Sequence, residues 1–459
     1  MSTALSRREF LGTTAGLLAA GAFAAEPKPA RPNILFINTD QQGLDTISAL
    51  GCRYVHTPNM DRLVRRGTAF LQSHSADPVC CPARASWFTG RPPAENGVVL
   101  NEVPIVGTMP DLGQWLRREG YEAVYAGKWH IPGRDVRQSF LTLPGGSGQG
   151  EHADAAVSRA CQGYLRNRKG ARPFFLVAGF LQPHDICYWL RQHATDPGEL
   201  PYPELADKLP PLPPNFEFDP REPEVIRKRR PSAASPERPR NWSPLHWRYY
   251  IWSYYRHVEM ADAEVGRVLD ALEDSDYADN TLVIFAADHG EGRGRHQMVT
   301  KHFLYDEAVK VPLIVAWPGR VPEGRTDDTH LVSGLDFAPT VCDYAGVKPP
   351  PKARGLSLRP LLEGQKPPWR DFLVSSSGIT GRMVRTKDHK YIVYKDDPAE
   401  QLFDMARDPW ETKNLAGDAA QAPTLARHRT LLADWEGALE HAPIRPRPPR
   451  PKGPKGKGA

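Results

Sequence analysis

The chain has 459 residues and a formal net charge of +5, and this length allows one large α/β domain with a smaller appendage. Six of the positive charges lie without an acid in residues 444–459, and without them the formal charge is −1, so nothing in the folded body favours nucleic-acid binding. The six cysteines are irregularly spaced and form neither a zinc-knuckle pattern nor a disulfide framework.

Residues 1–25 are predicted to be a targeting segment. Ser6-Arg7-Arg8-Glu9-Phe10-Leu11-Gly12 precedes a run of small apolar residues that ends in Ala22-Phe23-Ala24-Ala25, and this pattern resembles a twin-arginine export signal with an Ala-x-Ala cleavage site. The apolar run is short for a bilayer span, although an anchor that is never cut is the alternative. We expect a periplasmic or otherwise exported protein that uses the twin-arginine machinery and has no stable membrane insertion after processing.

Buried strands alternate with amphipathic helices over the next 300 or so residues. Apolar runs predict strands at 33–39, 122–126, 174–180, 281–287 and 312–317. Apolar residues at helical spacing predict helices at 60–66, 111–118, 153–167 and 245–273. This alternation predicts an α/β fold in which a large, mostly parallel or mixed sheet is sandwiched by helices.

Three later regions depart from this alternation. Residues 201–243 are rich in Pro, Arg and Glu and are predicted to be a surface excursion, either a lid or poorly ordered filler. Short alternating segments at 371–376, 382–386, 390–394 and 401–405 precede a helical pattern at 423–439, which predicts a small antiparallel sheet with a packed helix. We therefore place a catalytic domain at 26–365, a C-terminal subdomain at 366–441 and a disordered basic tail at 442–459.

Polar residues follow four of the predicted strands directly. Asp40, Lys128, His184 and Asp288 each come just after an apolar run. Open α/β sheets bind their ligands outside the carboxyl ends of the strands. The sequence therefore predicts one site to which these four residues contribute.

A cysteine motif lies in segment 80–91, Cys-Cys-Pro-Ala-Arg-Ala-Ser-Trp-Phe-Thr-Gly-Arg. Alone, its Cys-x-Pro-x-Arg pattern is compatible with ordinary buried thiols or with half of a disulfide. Further motifs accompany it in chain order, namely Pro32-Asn33-Ile34-Leu35-Phe36-Ile37-Asn38-Thr39-Asp40-Gln41-Gln42, Thr57-Pro58-Asn59-Met60-Asp61-Arg62-Leu63, Gly127-Lys128-Trp129-His130, Pro183-His184-Asp185, Asp288-His289-Gly290-Glu291, Val311-Pro312-Leu313-Ile314 and Glu400-Gln401-Leu402-Phe403-Asp404. Together these motifs resemble those of type I sulfatases, a family of the alkaline-phosphatase-like superfamily.

The resemblance implies that Cys80 is oxidised to formylglycine (3-oxoalanine) by a formylglycine-generating maturation enzyme. The hydrated aldehyde would then be the nucleophile, and its second hydroxyl would allow sulfate to be expelled so that the enzyme turns over. Arg84 would hold the diol and the sulfate through its guanidinium fork. Cys80 would lie at a helix start, which is a natural anion site.

The resemblance also implies one calcium ion, with Mg²⁺ or Mn²⁺ as alternatives. The implied ligands are Asp40 and Gln41, Asp288 and His289, together with the modified Cys80. Gln41 departs from the second acid that the family places there, and this lowers the negative charge of the site. Helix capping is the alternative role for Asp40 and Asp288, and His289 is either a direct ligand or a donor to one.

Four basic residues complete the implied catalytic set. Lys128 would bind a sulfate oxygen, and His130 would be the base that triggers sulfate elimination; in an extended segment their side chains point the same way. His184 and Lys301 would bind sulfate and protonate the leaving oxygen. A histidine with a structural role in the core is the alternative for each imidazole.

A sulfated saccharide is the predicted substrate, on the weaker grounds of export and a lid-like excursion. The sequence does not identify the sugar, the position of the sulfate, or endo or exo action. The residues predicted to contact the saccharide are Asn101, Trp189, Arg191, His296, His302, Arg382 and Arg385.

Two other functions stay open on the sequence. A phosphonate or phosphodiester hydrolase of the same superfamily is compatible with the Thr-Asp-Gln and Asp-His pairings at 39–41 and 288–289. A non-catalytic glycan-binding protein would result if Cys80 is never converted.

Overall fold

The structure is a computed structural model, and it describes residues 31–447 except 147, 195–197, 200–201, 231–238 and 240. The described residues from Pro32 onward belong to one unit. The predicted signal at 1–25 and residues 448–459 of the predicted tail lie outside the described residues. Within the described part of the chain, every helix is too short or too polar to cross a membrane.

Fourteen strands form three sheets in the described residues. In chain order they are β1 Asn33–Asp40, β2 Thr68–Phe70, β3 Ser73–His74, β4 Glu122–Gly127, β5 Leu141–Thr142, β6 Phe174–Pro183, β7 Thr281–Ala287, β8 Leu313–Ala316, β9 Arg325–Asp327, β10 Val332–Ser333, β11 Phe372–Ser377, β12 Gly381–Thr386, β13 His389–Tyr394 and β14 Gln401–Asp404. The five strands predicted for the central sheet are confirmed, each within a few residues of its predicted bounds.

Twelve α-helices connect and cover the sheets in the described residues. They are α1 Pro58–Arg66, α2 Cys80–Thr89, α3 Pro93–Asn96, α4 Leu112–Arg118, α5 Gly150–Asn167, α6 Ile186–His193, α7 Glu224–Arg227, α8 Pro244–Glu273, α9 Asp306–Val309, α10 Phe337–Tyr344, α11 Arg359–Leu362 and α12 Ala422–Gly437. Short 3₁₀ turns lie at Leu44–Thr46, Ser48–Leu50, Val136–Gln138, Pro203–Lys208, Ala278–Asn280, Arg295–Gln297, Gly334–Asp336 and Ala419–Gln421.

The largest sheet has eight strands in the order β5-β4-β6-β1-β7-β8-β2-β9. The five neighbouring strands β5, β4, β6, β1 and β7 are parallel to one another. Strand β8 runs antiparallel to both of its neighbours, β7 and β2. The sheet is therefore mixed, as predicted. Both faces are buried because alternate residues of a strand point to opposite faces: Ile34 and Phe36 pack with α2, α4 and α10, and Leu35 and Ile37 pack with α1, α5 and α8.

The C-terminal part of the chain forms the predicted antiparallel sheet, in the order β11-β12-β13-β14. Helix α12 packs on it through Leu425 and Leu432, which share a core cluster with Val384 and Leu402. The predicted architecture, a large mixed sheet between helices with a small antiparallel subdomain, is confirmed. The domain boundaries at 365 and 441 stay predictions.

The excursion at 201–243 is less solvated than the sequence suggested. Ile226 on α7 is fully buried in a core cluster with Leu373, Met383 and Phe403 of the C-terminal sheet. Asn215 and Glu222 are also buried. The segment therefore packs against the C-terminal sheet at Ile226, and the prediction of a surface excursion was wrong for these buried residues, because Ile226 supplies an apolar anchor that periodicity did not reveal.

Candidate active site

The register of the central sheet brings Asp40, His184 and Asp288 to one edge. Thr39 is opposite Ala287 on β7, so Asp40 and Asp288 are the next residues on neighbouring strands. A register shift on the other side of β1 sets Asp40 opposite Pro183, the residue before His184. Parallel strands end at the same edge of a sheet, which explains how three distant residues of the sequence come to lie together.

Helix α2 presents Cys80 to this edge as its first residue. The helix ends at Gly90, whose φ of 66° is in the left-handed region that glycine adopts without strain. At the other end, the side-chain oxygen of Asn101 accepts a hydrogen bond from the Cys81 amide at 3.0 Å. Asn101, predicted to contact substrate, thus satisfies one of the free amides of the first turn.

Arg84, one turn later on α2, connects the two carboxylates. Its Nε donates to Asp288 at 2.9 Å and its Nη2 donates to Asp40 at 3.3 Å. Its Nη1 donates to the side chain of Asn38 and to the backbone carbonyl of Lys128. The guanidinium is fully buried and donates four hydrogen bonds to protein groups. In this structure Arg84 therefore fixes the two carboxylates. Its contact with sulfate stays a prediction.

Two lysines bring further positive charge to Cys80. The Lys301 Nζ lies 3.2 Å from the Cys80 Sγ and 2.5 Å from the Gln41 side-chain oxygen. The Lys128 Nζ lies 2.5 Å from Asp40. Burial alone would lower the pKa of each ammonium, but Asp40 and Cys80 outweigh it and raise both pKa values, so both lysines remain charged.

The surroundings of Cys80 stabilise an anion at the sulfur position. Burial and Asp40 would raise the pKa of the thiol, but Lys128, Lys301 and His289 outweigh them and hold it well below its usual range. The His289 Nε2 lies 3.1 Å from the same sulfur. The neighbouring Cys81 differs, since burial raises its pKa to about 12. A thiolate at position 80 here stands in for an oxygen anion on the same side chain.

The donor atoms around Cys80 fit a divalent cation. One ligand atom each from Asp40, Cys80, Asp288 and His289 lies within 4.8 Å of all the others. Ligand oxygens bind calcium at about 2.3–2.6 Å, so ligands of one ion are roughly 3–4 Å apart, as the Cys80, Asp40 and His289 atoms are at 3.1–4.0 Å. Two carboxylates with one imidazole form an oxygen-rich set suited to a hard cation.

The two carboxyl groups respond differently to this crowding. Burial would raise the pKa of Asp40, but Lys128, His184 and Lys301 hold it well below its usual range. Burial and the charge of Asp40 raise the pKa of Asp288. A cation between them would favour the ionised form of both.

His184 lies within range of these charges and lacks a partner. Its Nδ1 is buried and has no hydrogen-bond partner among the described residues. Burial lowers the pKa of the imidazole well below its usual range, and Lys301 and Lys128 lower it further. His184 is therefore neutral before a ligand arrives.

His130 is placed differently from the sequence expectation. Its φ is 54°, so the extended segment assumed for Lys128 and His130 does not continue through it. Its side chain is exposed, and among the described residues no hydrogen bond or ion pair joins it to Cys80. The condition for a shared side-chain direction, an extended segment, is therefore not met at His130; its role as a base stays a prediction.

Of the other residues predicted to contact substrate, His302 is connected to Cys80 through its neighbour Lys301, whose ammonium contacts the Cys80 sulfur. It follows Lys301 directly, its amide donates to the Pro78 carbonyl, and burial, Arg229 and Lys301 lower its pKa to about 3. His296 is buried elsewhere, with Nδ1 at 3.0 Å from Glu307 and Nε2 at 3.2 Å from the Glu411 carbonyl. Both ring nitrogens are occupied there, which favours a structural role.

Four further predicted contacts lie in pairs on two elements, Trp189 and Arg191 on α6 and Arg382 and Arg385 on β12. Trp189 stacks on His193 and contacts Tyr250. Arg191 lies over the Tyr188 ring. Arg382 forms an ion pair with Glu436 at 2.9 Å, and Arg385 is buried and donates to the carbonyls of Thr386 and Lys387. Their contacts with substrate stay predictions.

Sequence reasoning did not assign a role to Glu291, which supports the site from behind. Its buried carboxylate accepts hydrogen bonds from the Gln41 side chain, the Tyr250 hydroxyl and the Thr300 amide. It thereby orients Gln41, whose φ is 70°. The signal was present, since Glu291 ends the Asp-His-Gly-Glu motif, but its partners are too distant in sequence to be predicted.

Comparison with protein families gives two matches. The family model described as Sulfatase matches residues 32–347. The model described as N-sulphoglucosamine sulphohydrolase, C-terminal, matches residues 294–436. The first match contains the Cys80 motif and both pairs of candidate metal ligands, and the second contains the C-terminal sheet.

Similar proteins extend this likeness to almost the whole chain. A Delta 4,5-hexuronate-2-O-sulfatase of Bacteroides thetaiotaomicron is 32% identical over 443 residues, which cover 90% of this chain and 90% of that protein. The solved structure of a 2-O GAG sulfatase superposes with a TM-score of 0.79 at 30% identity and covers 89% and 92% of the two chains. A second solved structure, a complex with the substrate D-glucosamine-2-N,6-O-disulfate, superposes with a TM-score of 0.75 at 25% identity and covers 89% and 98% of the two chains.

Proposed function

The chain belongs to the sulfatase family and is a sulfuric ester hydrolase, and from that premise we propose that it removes sulfate from a sulfated saccharide. The observation that carries the proposal is the position of Cys80. Its buried sulfur lies at a helix start, 3.2 Å from the Lys301 ammonium and 3.1 Å from His289. These contacts stabilise a negative charge on that side chain, as a nucleophile and a sulfate-binding position both require.

The saccharide class is supported by the similar proteins. The Bacteroides thetaiotaomicron relative is named for a hexuronate sulfate. The similar structure that was solved as a complex holds a sulfated glucosamine as its substrate. A sulfated sugar from a glycosaminoglycan-like polymer is therefore the substrate class that we propose. With such a substrate the leaving group of the reaction is a sugar alkoxide, which is a poor leaving group.

Cys80 is proposed to be converted to formylglycine by a maturation enzyme of the host. The hydrated aldehyde would supply a hydroxyl to attack sulfur and a second hydroxyl whose ionisation releases sulfate. Asp40, Gln41, Asp288 and His289 would hold one divalent cation, for which calcium is the proposed identity. When bound, the cation would supply positive charge beside the sulfate oxygens.

The remaining side chains divide the work around the bound ester. Lys128 and Lys301 hold positive charge where the sulfate oxygens must lie, and Arg84 keeps Asp40 and Asp288 in place. His184 is neutral in the free enzyme because burial and two lysines depress its pKa. The negative charge of a bound sulfate ester raises that pKa, so that His184 acquires a proton and donates it to the leaving oxygen. His130 is proposed to reach the site as the base for sulfate release.

Export completes the proposal on the grounds of the sequence. Residues 1–25 are proposed to direct the folded protein through the twin-arginine machinery to the periplasm. Such a route suits an enzyme whose cysteine is modified before it leaves the cytoplasm. An amino-terminal sequence of the mature protein that begins at or near residue 26 is the expected result.

One experiment tests the catalytic proposal. The enzyme, produced with a formylglycine-generating enzyme, is assayed for sulfate release from sulfated mono- and disaccharides, before and after chelation and after addition of Ca²⁺ or Zn²⁺. Sulfate release that chelation removes, and that Ca²⁺ restores better than Zn²⁺, supports the proposal. Intact mass of the peptide around Cys80 reports the conversion, because formylglycine is lighter than cysteine.

The same assay addresses the two other functions. A phosphonate or phosphodiester hydrolase would prefer the phosphate ester of a phenol to its sulfate ester, when both are assayed side by side. A glycan-binding protein would keep an unmodified Cys80 and bind sulfated saccharides without releasing sulfate. Either result would replace the proposed reaction.

A further inference from the structure

Gln41 is held by hydrogen bonds at both ends of its side-chain amide. Its Oε1 accepts from the Lys301 ammonium at 2.5 Å, and its Nε2 donates to the Glu291 carboxylate. Gln41 and Glu291 are both fully buried. An ammonium can only donate hydrogen bonds and an ionised carboxylate can only accept them. The Gln41 amide therefore has one orientation, with its oxygen towards Lys301 and its nitrogen towards Glu291.

Glu291 meets donors on its other side as well. Its Oε1 accepts from the Thr300 backbone amide and from the Tyr250 hydroxyl. The Thr300 amide, like the Lys301 ammonium, can only donate. The side chains of Gln41 and Glu291 thus form a bridge between two groups that offer hydrogens and no acceptor.

Hydrogen-bond polarity restricts the pairs of side chains that can form this bridge. A primary amide accepts at its oxygen and donates at its nitrogen, whereas a carboxylate accepts at both oxygens. Two amides in series between two donors would leave one N–H opposite another N–H. Two carboxylates would face each other with like charge. One amide and one carboxylate satisfy every partner, and they do so in either order.

The order found in this chain determines what Lys301 contacts. Its ammonium lies 3.2 Å from the Cys80 sulfur and 2.5 Å from the Gln41 oxygen. Among the carboxylates that the structure describes, none forms an ion pair with Lys301. In the reverse order, a carboxylate at position 41 would pair with this ammonium directly and compete with any other anion for it. The order in the chain keeps the negative charge one side chain further from Cys80.

We propose that Glu291 is a positioning residue that fixes the polarity of the Gln41 amide. An oxygen and no N–H then faces Lys301 and the candidate metal position, while the negative charge stays behind Gln41. The inference rests on the proposed function, in which Lys301 provides positive charge for the sulfate and Gln41 is a ligand of the cation. A reversed amide would direct an N–H at two positive charges.

The test is a cycle of three variants, namely Glu291→Gln, Gln41→Glu and the double variant that exchanges the two side chains, each produced with a formylglycine-generating enzyme. These changes alter polarity and charge with little change in volume. Thermal unfolding at neutral pH, in the presence of a chelator, reports on the bridge without the cation. Both single variants should have a lower Tm than wild type. The double variant should have a higher Tm than either, because it again has one amide and one carboxylate.

Calcium binding, measured by titration calorimetry on the metal-free enzymes, reports on the orientation of Gln41. Loss of a residue that orients a metal ligand typically costs about 10- to 100-fold in metal affinity, and Glu291→Gln should raise the Kd for Ca²⁺ by about that factor. The double variant should bind Ca²⁺ at least as tightly as wild type, since a carboxylate oxygen then faces the cation. Its KM for a sulfated sugar should still exceed that of wild type, because the introduced carboxylate pairs with Lys301.

Cys187→Ala is the matched control. The Cys187 sulfur lies 3.3 Å from the Gln41 Nε2 and 3.6 Å from its Oε1. A thiol is both a weak donor and a weak acceptor, so this contact does not select an orientation of the amide. The variant removes a neighbour of the same side chain and should leave the Kd for Ca²⁺ close to that of wild type.

Two results would overturn the proposal. One is a double variant whose loss of Tm equals the sum of the two single losses, because Gln41 and Glu291 would then act independently. The other is an unchanged Kd for Ca²⁺ in Glu291→Gln. If the wild type binds Ca²⁺ but releases sulfate from no sulfated sugar, the proposed function fails while the unfolding cycle and the titration still decide the role of Glu291. If the wild type binds no Ca²⁺, the proposed cation fails and the unfolding cycle decides that role.

Discussion

Two of the clusters of buried charged residues in this fold differ in whether their charges are compensated. The Cys80 cluster consists of Asp40, Cys80, Arg84, Lys128, Asp288 and Lys301. The Lys390 cluster consists of Asp306, Lys390 and Glu411, beside the pair His296 and Glu307. In the second cluster, the Lys390 ammonium lies 2.7 Å from both Asp306 and Glu411, and His296 lies 3.0 Å from Glu307.

The comparison shows how a buried ionic network can serve either structure or binding. In the Lys390 cluster one ammonium faces two carboxyl groups, and burial and the nearby carboxylates raise the pKa of Glu411 to about 7, so that Glu411 is partly protonated near neutral pH. In the Cys80 cluster, three cations face two carboxylates and the Cys80 side chain, and His184 has an unpartnered nitrogen. When the Cys80 side chain is uncharged, as the proposed formylglycine would be, one positive charge is available to an anionic ligand, whereas the Lys390 cluster has none to offer.

Loss of the nucleophile is the largest effect expected in the Cys80 cluster. Cys80→Ala should lower sulfate release by at least about 10⁴-fold, because nothing else in the cluster can attack sulfur. Unfolding curves should stay close to those of the converted wild type, because the hydrated aldehyde that the substitution removes is small and uncharged. Steady-state kinetics and denaturant unfolding are the measurements.

Cys81→Ala is the matched control. Cys81 lies in the hydrophobic core, and burial raises its pKa, so it is an inert thiol. Its removal should have a modest effect on stability and almost none on kcat. Equal loss of activity in both variants, with native-like unfolding, would mean that Cys80 is not the nucleophile.

His184→Ala should produce the next largest effect, and that effect should depend on the leaving group. A general acid contributes about 10²–10⁴ in rate, and a sugar alkoxide needs protonation that an activated phenolate does not. The variant should therefore lose about 10²–10⁴ in kcat on a sulfated sugar relative to an aryl sulfate. Kinetics on both substrates measure this ratio.

Substitution of His130 provides the contrast for that experiment. If His130 triggers sulfate release, its loss should slow every substrate to a similar extent, since the leaving group has already departed. A His184 variant that is impaired equally on both substrates would transfer the role of acid to Lys301.

A matched pair of lysine variants compares the two clusters directly. Lys390→Met should lower the free energy of unfolding by about 3–5 kcal/mol, because Asp306 is left buried without its partner. Lys128→Met should lower it by less than Lys390→Met does, because Arg84 still donates to Asp40 and the Lys128 side chain is 13% exposed, whereas the Lys390 side chain is fully buried. Lys128→Met should nevertheless impair sulfate release.

Chemical denaturation of both variants measures the difference, with sulfate release as the second readout. The comparison of the clusters fails if Lys128→Met is as destabilising as Lys390→Met. It also fails if Lys390→Met reduces activity while leaving stability intact, because the second cluster would then serve the reaction.

The sequence predicted the sheet edge and its first layer of residues because parallel strands end together. Asp40, His184 and Asp288 could be placed without coordinates for that reason, and the sheet register brings them together as expected. The second layer could not be predicted. Glu291 contacts Gln41 and Tyr250, which lie 250 and 41 residues away in the sequence, and the partners of His296 lie 11 and 115 residues away, so only the tertiary fold decides whether each side chain faces the site or the core.

Arg229 illustrates the same limit from the opposite direction. In the sequence it is one of four adjacent basic residues, and all four resemble a solvated charge run. Burial of Ile226 against the C-terminal sheet turns part of that run inward. Whether an arginine has a carboxylate partner depends on the tertiary fold, which composition does not reveal.

A pH dependence of stability is expected from Glu411. Its pKa in the folded protein is about 7, above the ordinary value near 4.3, so the folded state holds a proton that the unfolded state has lost. The contribution of this proton is fully present below about pH 4 and is lost as the pH rises towards 7. Between about pH 4 and 7, each unit of increase in pH lowers the free energy of unfolding by about 1.4 kcal/mol for this one proton.

Glu411→Gln tests this sign, because glutamine resembles the protonated carboxyl and can still accept the Asp306 amide hydrogen bond that Glu411 accepts at 2.7 Å. The variant should lose about one proton's worth of the pH dependence between pH 5 and 7, and should be at least as stable as wild type at pH 8. Denaturant unfolding at several pH values measures both quantities. An unchanged slope, or a variant that is less stable than wild type at pH 8, would show that Glu411 is ionised and that Lys390 compensates two carboxylates. The Lys390 cluster would then carry a net negative charge, whereas the Cys80 cluster carries a net positive charge. Neither cluster would then be electrically neutral.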